Sequence, residues 1–142
     1  MASQLNWVGG CLCGTVRYEL KSEPFDCGWC HCRTCQMTSG APAMVFASVR
    51  HCDWVATKGR EAIRTVKSSS FGHRGFCSQC GTPLYMRVDH QPETVDFSVA
   101  TLDEPDRLPP GFHIFWSSRI GWFEPGDGLP RHDEFRPDTR GL

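Results

Sequence analysis

Nine cysteines among 142 residues constrain this chain more than any other feature. They stand as Cys11-X-Cys13, Cys30-X-Cys32-X2-Cys35 and Cys77-X2-Cys80, with Cys27 and Cys52 apart. Cysteines one residue apart are poorly placed to bridge each other, because a disulfide needs particular Cα separations and vectors. The count is odd, and the opening residues MASQLNWVGG lack the basic and apolar regions of a secretory leader. A reducing, cytoplasmic setting is therefore expected, and there clustered thiols more often hold a metal than pair. Zinc suits them, since a tetrahedral ion gathers thiolates at about 2.3 Å, within reach of short turns.

Two short knuckles, Cys11/Cys13 and Cys77/Cys80, make one closed four-thiolate site. A glycine follows each knuckle, Gly14 and Gly81, as a tight turn that brings backbone close to sulfur requires. Such a site would staple segments far apart in the chain, Cys13 to Cys77. Three thiolates then remain in the middle cluster, Cys30, Cys32 and Cys35. Three protein ligands and an open position is the pattern of a reactive zinc, whereas four is that of a structural one. Cys27 leaves two readings open. In its Cys-X2-Cys spacing with Cys30 it would close the second site, or it is a small buried residue on a strand. Cys52, near Trp54, reads as a core side chain.

Composition narrows the classes. The chain is 39% hydrophobic, so it can build a core, and its formal charge of -1 offers no basic excess for nucleic acid or an anionic membrane surface. The longest nearly apolar stretch, Ala41 to Ala47, is far shorter than the roughly 20 residues of a bilayer span. One domain over 1–142 is expected.

Alternation predicts a strand over Thr15 to Leu20, and another over Phe25 to Trp29 that delivers the middle cluster. Arg33 to Ser39 reads as one or two helical turns ended by Gly40. Further strands are expected at 43–49, 54–57, 62–67, 71–76, 84–87 and 94–100. Segments this short, separated by turn residues, make a mainly β fold of antiparallel sheets rather than βαβ units. Beyond Thr101 the chain is rich in Pro, Gly and Asp, with apolar residues gathered at Phe112 to Trp116 and Ile120 to Phe123. That segment reads as irregular structure wrapped over the sheets.

Three motifs, Gly-Gly-Cys-Leu-Cys-Gly-Thr-Val-Arg-Tyr (9–18), Cys-His-Cys-Arg-Thr-Cys (30–35) and Phe-Cys-Ser-Gln-Cys-Gly-Thr-Pro-Leu (76–84), resemble the glutathione-dependent formaldehyde-activating enzyme and centromere protein V family. Gly-Phe-His-Ile (111–114), Trp122 and Asp-Gly-Leu-Pro (127–130) look like its C-terminal pattern, so the likeness runs over about residues 8–130. The resemblance implies an Mss4-like fold of antiparallel β-sheets stapled by zinc. It also implies a structural zinc on Cys11, Cys13, Cys77 and Cys80, and a second, labile zinc on Cys30, Cys32 and Cys35 that serves catalysis. The implied activity is that of a carbon–sulfur lyase resembling S-(hydroxymethyl)glutathione synthase, with a small thiol such as glutathione and an aldehyde as partners.

A zinc with an open position can bind an incoming thiol and lower its pKa. Three thiolates on Zn²⁺ leave a charge of -1, and a fourth makes -2, so nearby cations should matter. His31, Arg33, His73, Arg74, His113 and Arg119 are the candidates. His31 lies between two ligands and is expected to point away from the metal. Arg33 and Arg74 read equally as solvated charges or anion contacts, and His113 as a hydrogen-bonded core histidine. Trp29, Trp54, Trp116 and Trp122 are expected to pack the core. Two other classes stay open: a non-catalytic zinc-stapled interaction module, favoured if Cys27 ligates, and a thiol redox protein built on Cys27-Gly-Trp-Cys30.

Overall fold

The computed structural model describes residues 6–137. Residues 1–5 and 138–142 of the expected 1–142 domain lie outside the described residues. Among the described residues ten strands form two sheets, with one α-helix and short 3-10 turns between them. The first sheet has three strands in the order β1-β2-β5: β1 (Trp7–Gly10), β2 (Arg17–Leu20) and β5 (Trp54–Lys58). The second comprises β3 (Phe25–Cys30), β4 (Met44–Arg50), β6 (Ile63–Lys67), β7 (Gly72–Cys77), β8 (Pro83–Val88), β9 (Thr94–Ser98) and β10 (His113–Ile114). Its order is β10-β3-β4-β9-β8-β7-β6. Helix α1 (Arg33–Ser39) ends at Gly40 in the left-handed conformation, where the sequence placed its stop.

Alternation along the strands of the larger sheet sorts its two faces. Cys27, Ala47, Val49, Val95 and Phe97 point toward the small sheet and pack with Trp7, Tyr18 and Leu20. Tyr18 stacks on Trp54 at 4.8 Å between centroids, and Trp54 meets Tyr85 edge-on at 5.0 Å. Each such fully buried apolar side chain contributes about 1.5–3 kcal/mol relative to exposure, so this layer is the main core. The opposite face carries Gly28, Cys30, Phe46, Ser48, Asp96, Met86, Gly72 and Arg74, which line a cavity of about 360 Å³. Phe112, Ile114, Phe115 and Phe135 from the C-terminal segment cover it. A side chain at 28 would collide with the Phe112 ring, so glycine there lets the cover lie close against the sheet.

The structure departs from or adds to the sequence reading at four points. The C-terminal segment does wrap the sheet, yet its β10 pairs with β3 in parallel, His113 opposite Trp29, against the antiparallel rule that holds for every other strand pair described. Only two residues pair there, too short a run to announce itself by alternation. The sequence offers no strand at β1, because two of the four residues of Trp-Val-Gly-Gly are glycines, which strands disfavour. Cys52 is exposed in a 3-10 turn, as the chain turns outward between β4 and β5. Trp122 is 75% exposed rather than in the core, while Trp29, Trp54 and Trp116 are partly buried.

Candidate metal centres and the covered cavity

Both knuckles of the first cluster are hairpin turns, one from each sheet. Cys11 and Cys13 sit in the β1–β2 turn, Cys77 and Cys80 in the β7–β8 turn. Gly14 and Gly81 have φ of 81° and 83°, so the turns close as the sequence predicted. The four Sγ atoms lie within 4.8 Å of one another, with Cys11–Cys13 at 3.6 Å and Cys13–Cys77 at 3.9 Å. Four thiolates held tetrahedrally at 2.3 Å stand about 3.8 Å apart, so the spacing fits zinc. Donors surround the sulfurs: Val16 N–H reaches Cys11 at 3.2 Å, and Gln79 N–H reaches Cys77 at 3.3 Å. The hydroxyl and amide of Thr82 bring the Cys80 thiol down to about 5, the thiolate form a metal takes.

The second cluster is assembled where β3 runs into α1. Cys30 ends the strand, Cys32 caps the helix by accepting from the Cys35 amide at 3.3 Å, and Cys35 is fully buried in the first turn. Their three Sγ atoms also lie within 4.8 Å of one another. The Cys30 and Cys35 thiols, the Cys35 amide and Arg74 all favour thiolate at Cys32, whose pKa falls to about 2. Cys30 and Cys35 move the opposite way, because each proton given to the shared site stays with them.

Cys27 is not part of this group. Cys30 follows it at an odd offset of three positions, so the two side chains leave opposite faces of β3. Its Sγ packs in the main core and donates to the Leu108 carbonyl at 3.5 Å. Burial pushes its thiol up to about 12, which keeps it protonated and poor as a ligand. The reading that needed Cys27 as a fourth thiolate loses its support.

Among the six candidate cations, the fold selects Arg74. It is 8% exposed, and its Nη2 donates to Cys35 Sγ at 3.4 Å while Nε donates to Ser68. Arg33 turns to Gln36, His73 to Asp89, and Arg119 lies over the Trp116 ring. His31 does point away from the sulfurs, into a buried chain. Asp127 meets His113 Nε2 at 2.8 Å, and His113 Nδ1 meets His31 Nε2 at 2.8 Å. Both contacts run through buried imidazole nitrogens, and His31 Nδ1 has no hydrogen-bond partner among the described residues. Burial lowers His31 to about 4, keeping the ring neutral. These contacts tie the C-terminal segment to His31, the residue between Cys30 and Cys32.

Sequence reading missed the cavity's polar residues. Asp96 sits on β9 with Ser48 Oγ donating to it at 2.6 Å, and desolvation pushes its carboxyl up to about 6. In the sequence it is one polar position in an alternating strand, indistinguishable from a solvent-facing residue. Only the cover supplied from 112–135 makes that face an interior.

Comparison with known proteins places these features. Residues 6–118 match the sequence profile of the glutathione-dependent formaldehyde-activating enzyme family. A Halomonas elongata protein provisionally named as a glutathione-dependent formaldehyde-activating enzyme is 28% identical over 123 residues, 82% of this chain and 78% of that protein. An uncharacterized lyase of Schizosaccharomyces pombe is 34% identical over 79 residues, and the match spans 56% of each chain, little more than half the yeast protein's length. The crystal structure of a Rhodobacter sphaeroides protein superposes with a TM-score of 0.57 at 21% identity, covering 87% of this chain and 98% of that one. It shares the fold. Among the described residues no helix is long and apolar enough to cross a membrane.

Proposed function

The chain belongs to the glutathione-dependent formaldehyde-activating enzyme family, and on that premise we propose that it is a zinc-dependent carbon–sulfur lyase. It would join a small thiol such as glutathione to formaldehyde or a related aldehyde. Cys11, Cys13, Cys77 and Cys80 would hold a structural ion, and Cys30, Cys32 and Cys35 an exchangeable one. The observation that carries the reading is that the three-sulfur group opens onto a cavity, with no fourth protein ligand among the described residues.

Bound at that group, zinc would act as a Lewis acid that lowers the pKa of an incoming thiol. The bond made joins the thiolate sulfur to the carbonyl carbon. The thiol proton passes to solvent, the C=O π pair moves to oxygen, which takes a proton from solvent to become the hydroxyl of the adduct, and the reverse reaction breaks the same C–S bond. Arg74, touching Cys35, offsets negative charge that grows as a substrate thiolate arrives. The apolar walls, Phe46, Met86, Ile114 and Phe115 among them, keep water from the carbonyl. Holding thiol and aldehyde in one enclosure removes much of the entropic cost of their encounter.

The test is exchange-spectroscopy NMR with ¹³C-formaldehyde and glutathione. Wild-type protein should speed adduct formation and breakdown well above the uncatalysed rate, and Cys32→Ser should abolish the acceleration while retaining the fold. A metal-replete protein that gives no acceleration would refute the proposal.

A further inference from the structure

A second recess, of about 230 Å³, lies on the other face of the large sheet, and the proposed reaction does not use it. Side chains alternate along β8, so Met86 turns into the covered cavity while Tyr85 and Arg87 turn the opposite way. With them stand Thr65 of β6, Trp54 of β5 and Arg60 of the 3-10 turn Arg60–Ala62. Gly75 of β7 faces both Thr65 and Tyr85, and a Cβ there would overlap the hydroxyl-bearing end of the Tyr85 ring. The missing side chain lets that ring lie across β7. Gly59, at φ of 74°, sets the turn before Arg60 so tightly against Thr15 that no Cβ fits, which fixes where Arg60 leaves the chain.

The charge in this recess is of one sign. Arg17, Arg107, Arg131 and Arg136 each meet a carboxylate. Arg60 and Arg87 have neither an ion pair nor a hydrogen bond among the described residues, and no carboxylate lines the recess. Nearby acids are committed elsewhere, Asp53 to the Ser22 hydroxyl at 2.7 Å and Asp89 to His73 at 2.9 Å. Burial raises the Tyr85 phenol, and the charges that oppose the rise are those of Arg87 and Arg60, so both guanidiniums act on one hydroxyl. Like charges gathered in a concave site focus their field on an incoming anion, and a doubly charged one relieves both.

We propose that this recess binds a small phosphate monoester. Arg60 and Arg87 clamp the phosphate through their planar donor forks, and the Tyr85 and Thr65 hydroxyls donate to its remaining oxygens. The edge-on pair of Trp54 and Tyr85 receives the ester's body. A volume below the roughly 300–1,000 Å³ of drug-sized pockets limits that body to about one ring. A carboxylate or sulfate ester, with one charge, leaves one guanidinium uncompensated. The site is independent of the lyase reading, since it needs neither the three-sulfur group nor the covered cavity.

Calorimetric titration of the metal-replete protein with phenyl phosphate and with phenyl sulfate, in phosphate-free buffer at pH 7.5, tests this. The two probes share their shape, but the phosphate carries two charges there, its second pKa being about 6, and the sulfate one. Phenyl phosphate should bind at least tenfold more tightly. Arg60→Gln and Arg87→Gln should each weaken it about tenfold while leaving the melting temperature and the formaldehyde–glutathione exchange rate at wild-type values. Cys32→Ser should leave the binding unchanged. No saturable binding to wild type, equal binding of the two esters, or binding that survives the double variant Arg60→Gln/Arg87→Gln would overturn the inference. Loss of binding in Cys32→Ser would overturn it as well, by placing the phosphate at the metal group.

Discussion

The two sulfur clusters use the same side chain and nearly the same spacing, yet the fold puts them to different use. The four-sulfur group lies where a hairpin turn of the small sheet meets a hairpin turn of the large one, so it ties the sheets together. Backbone amides and threonine hydroxyls of its own turns serve its sulfurs. The three-sulfur group ends a strand on the covered face of the large sheet, and its neighbours are Arg74 and a cavity. A cluster that joins elements is suited to hold the structure. A cluster that faces an enclosure is suited to hold a guest.

The largest effect that would sharpen this contrast is Cys77→Ser. It removes a sulfur from the staple over a small satellite core of Val16, Ala62 and Leu84, and should cost roughly 4 kcal/mol or more, since binding at a structural zinc is folding free energy. Denaturant unfolding should show Cys77→Ser largely unfolded and Cys32→Ser close to wild type. Equal losses in the two variants would break the comparison.

Next in size is a pH effect confined to the cavity end. Asp96 titrates at about 6 in the folded chain against an ordinary 3.8, so the folded state holds its proton longer. Stability from this group is therefore greatest below about pH 4 and is lost as pH rises through about 6, by on the order of 3 kcal/mol. Asp26 reinforces the shift and Arg74 opposes it. In Asp96→Asn this component of the stability–pH curve should flatten; an unchanged curve would show the carboxylate to be solvated.

Arg74→Met should act on one cluster only. Loss of the guanidinium beside Cys35 should weaken metal retention at the three-sulfur group by 10- to 100-fold, the usual scale for a group that supports a ligand. Chelator competition should then release one metal early and the other at the wild-type rate. Simultaneous release of both would mean that the clusters are not independent. The smallest effect is expected for Cys27→Ala, about 1 kcal/mol from a lost sulfur in the core, with metal content unchanged. A fall in metal content would return Cys27 to the ligands.

Much of this was legible in the chain itself, because the signals are local. Knuckle spacing with a trailing glycine fixes how the sulfurs can converge, whatever surrounds them, and Gly40 stops α1 by its own conformation. Alternation placed β2 through β9 to within a few residues. What the sequence left open is a matter of faces and partners. Cys27 and Cys30 look alike in spacing until β3 is known to be extended through both, and then parity sends them apart. Arg74 and Arg33 look alike until β7 brings only the former under Cys35. Asp96 becomes a cavity residue only because aromatic side chains some 16 or more positions later fold over it. Side-chain chemistry and near-neighbour geometry are written into consecutive residues. Which face becomes interior, and which charge meets which sulfur, depends on segments distant in the chain, and packing alone decides it.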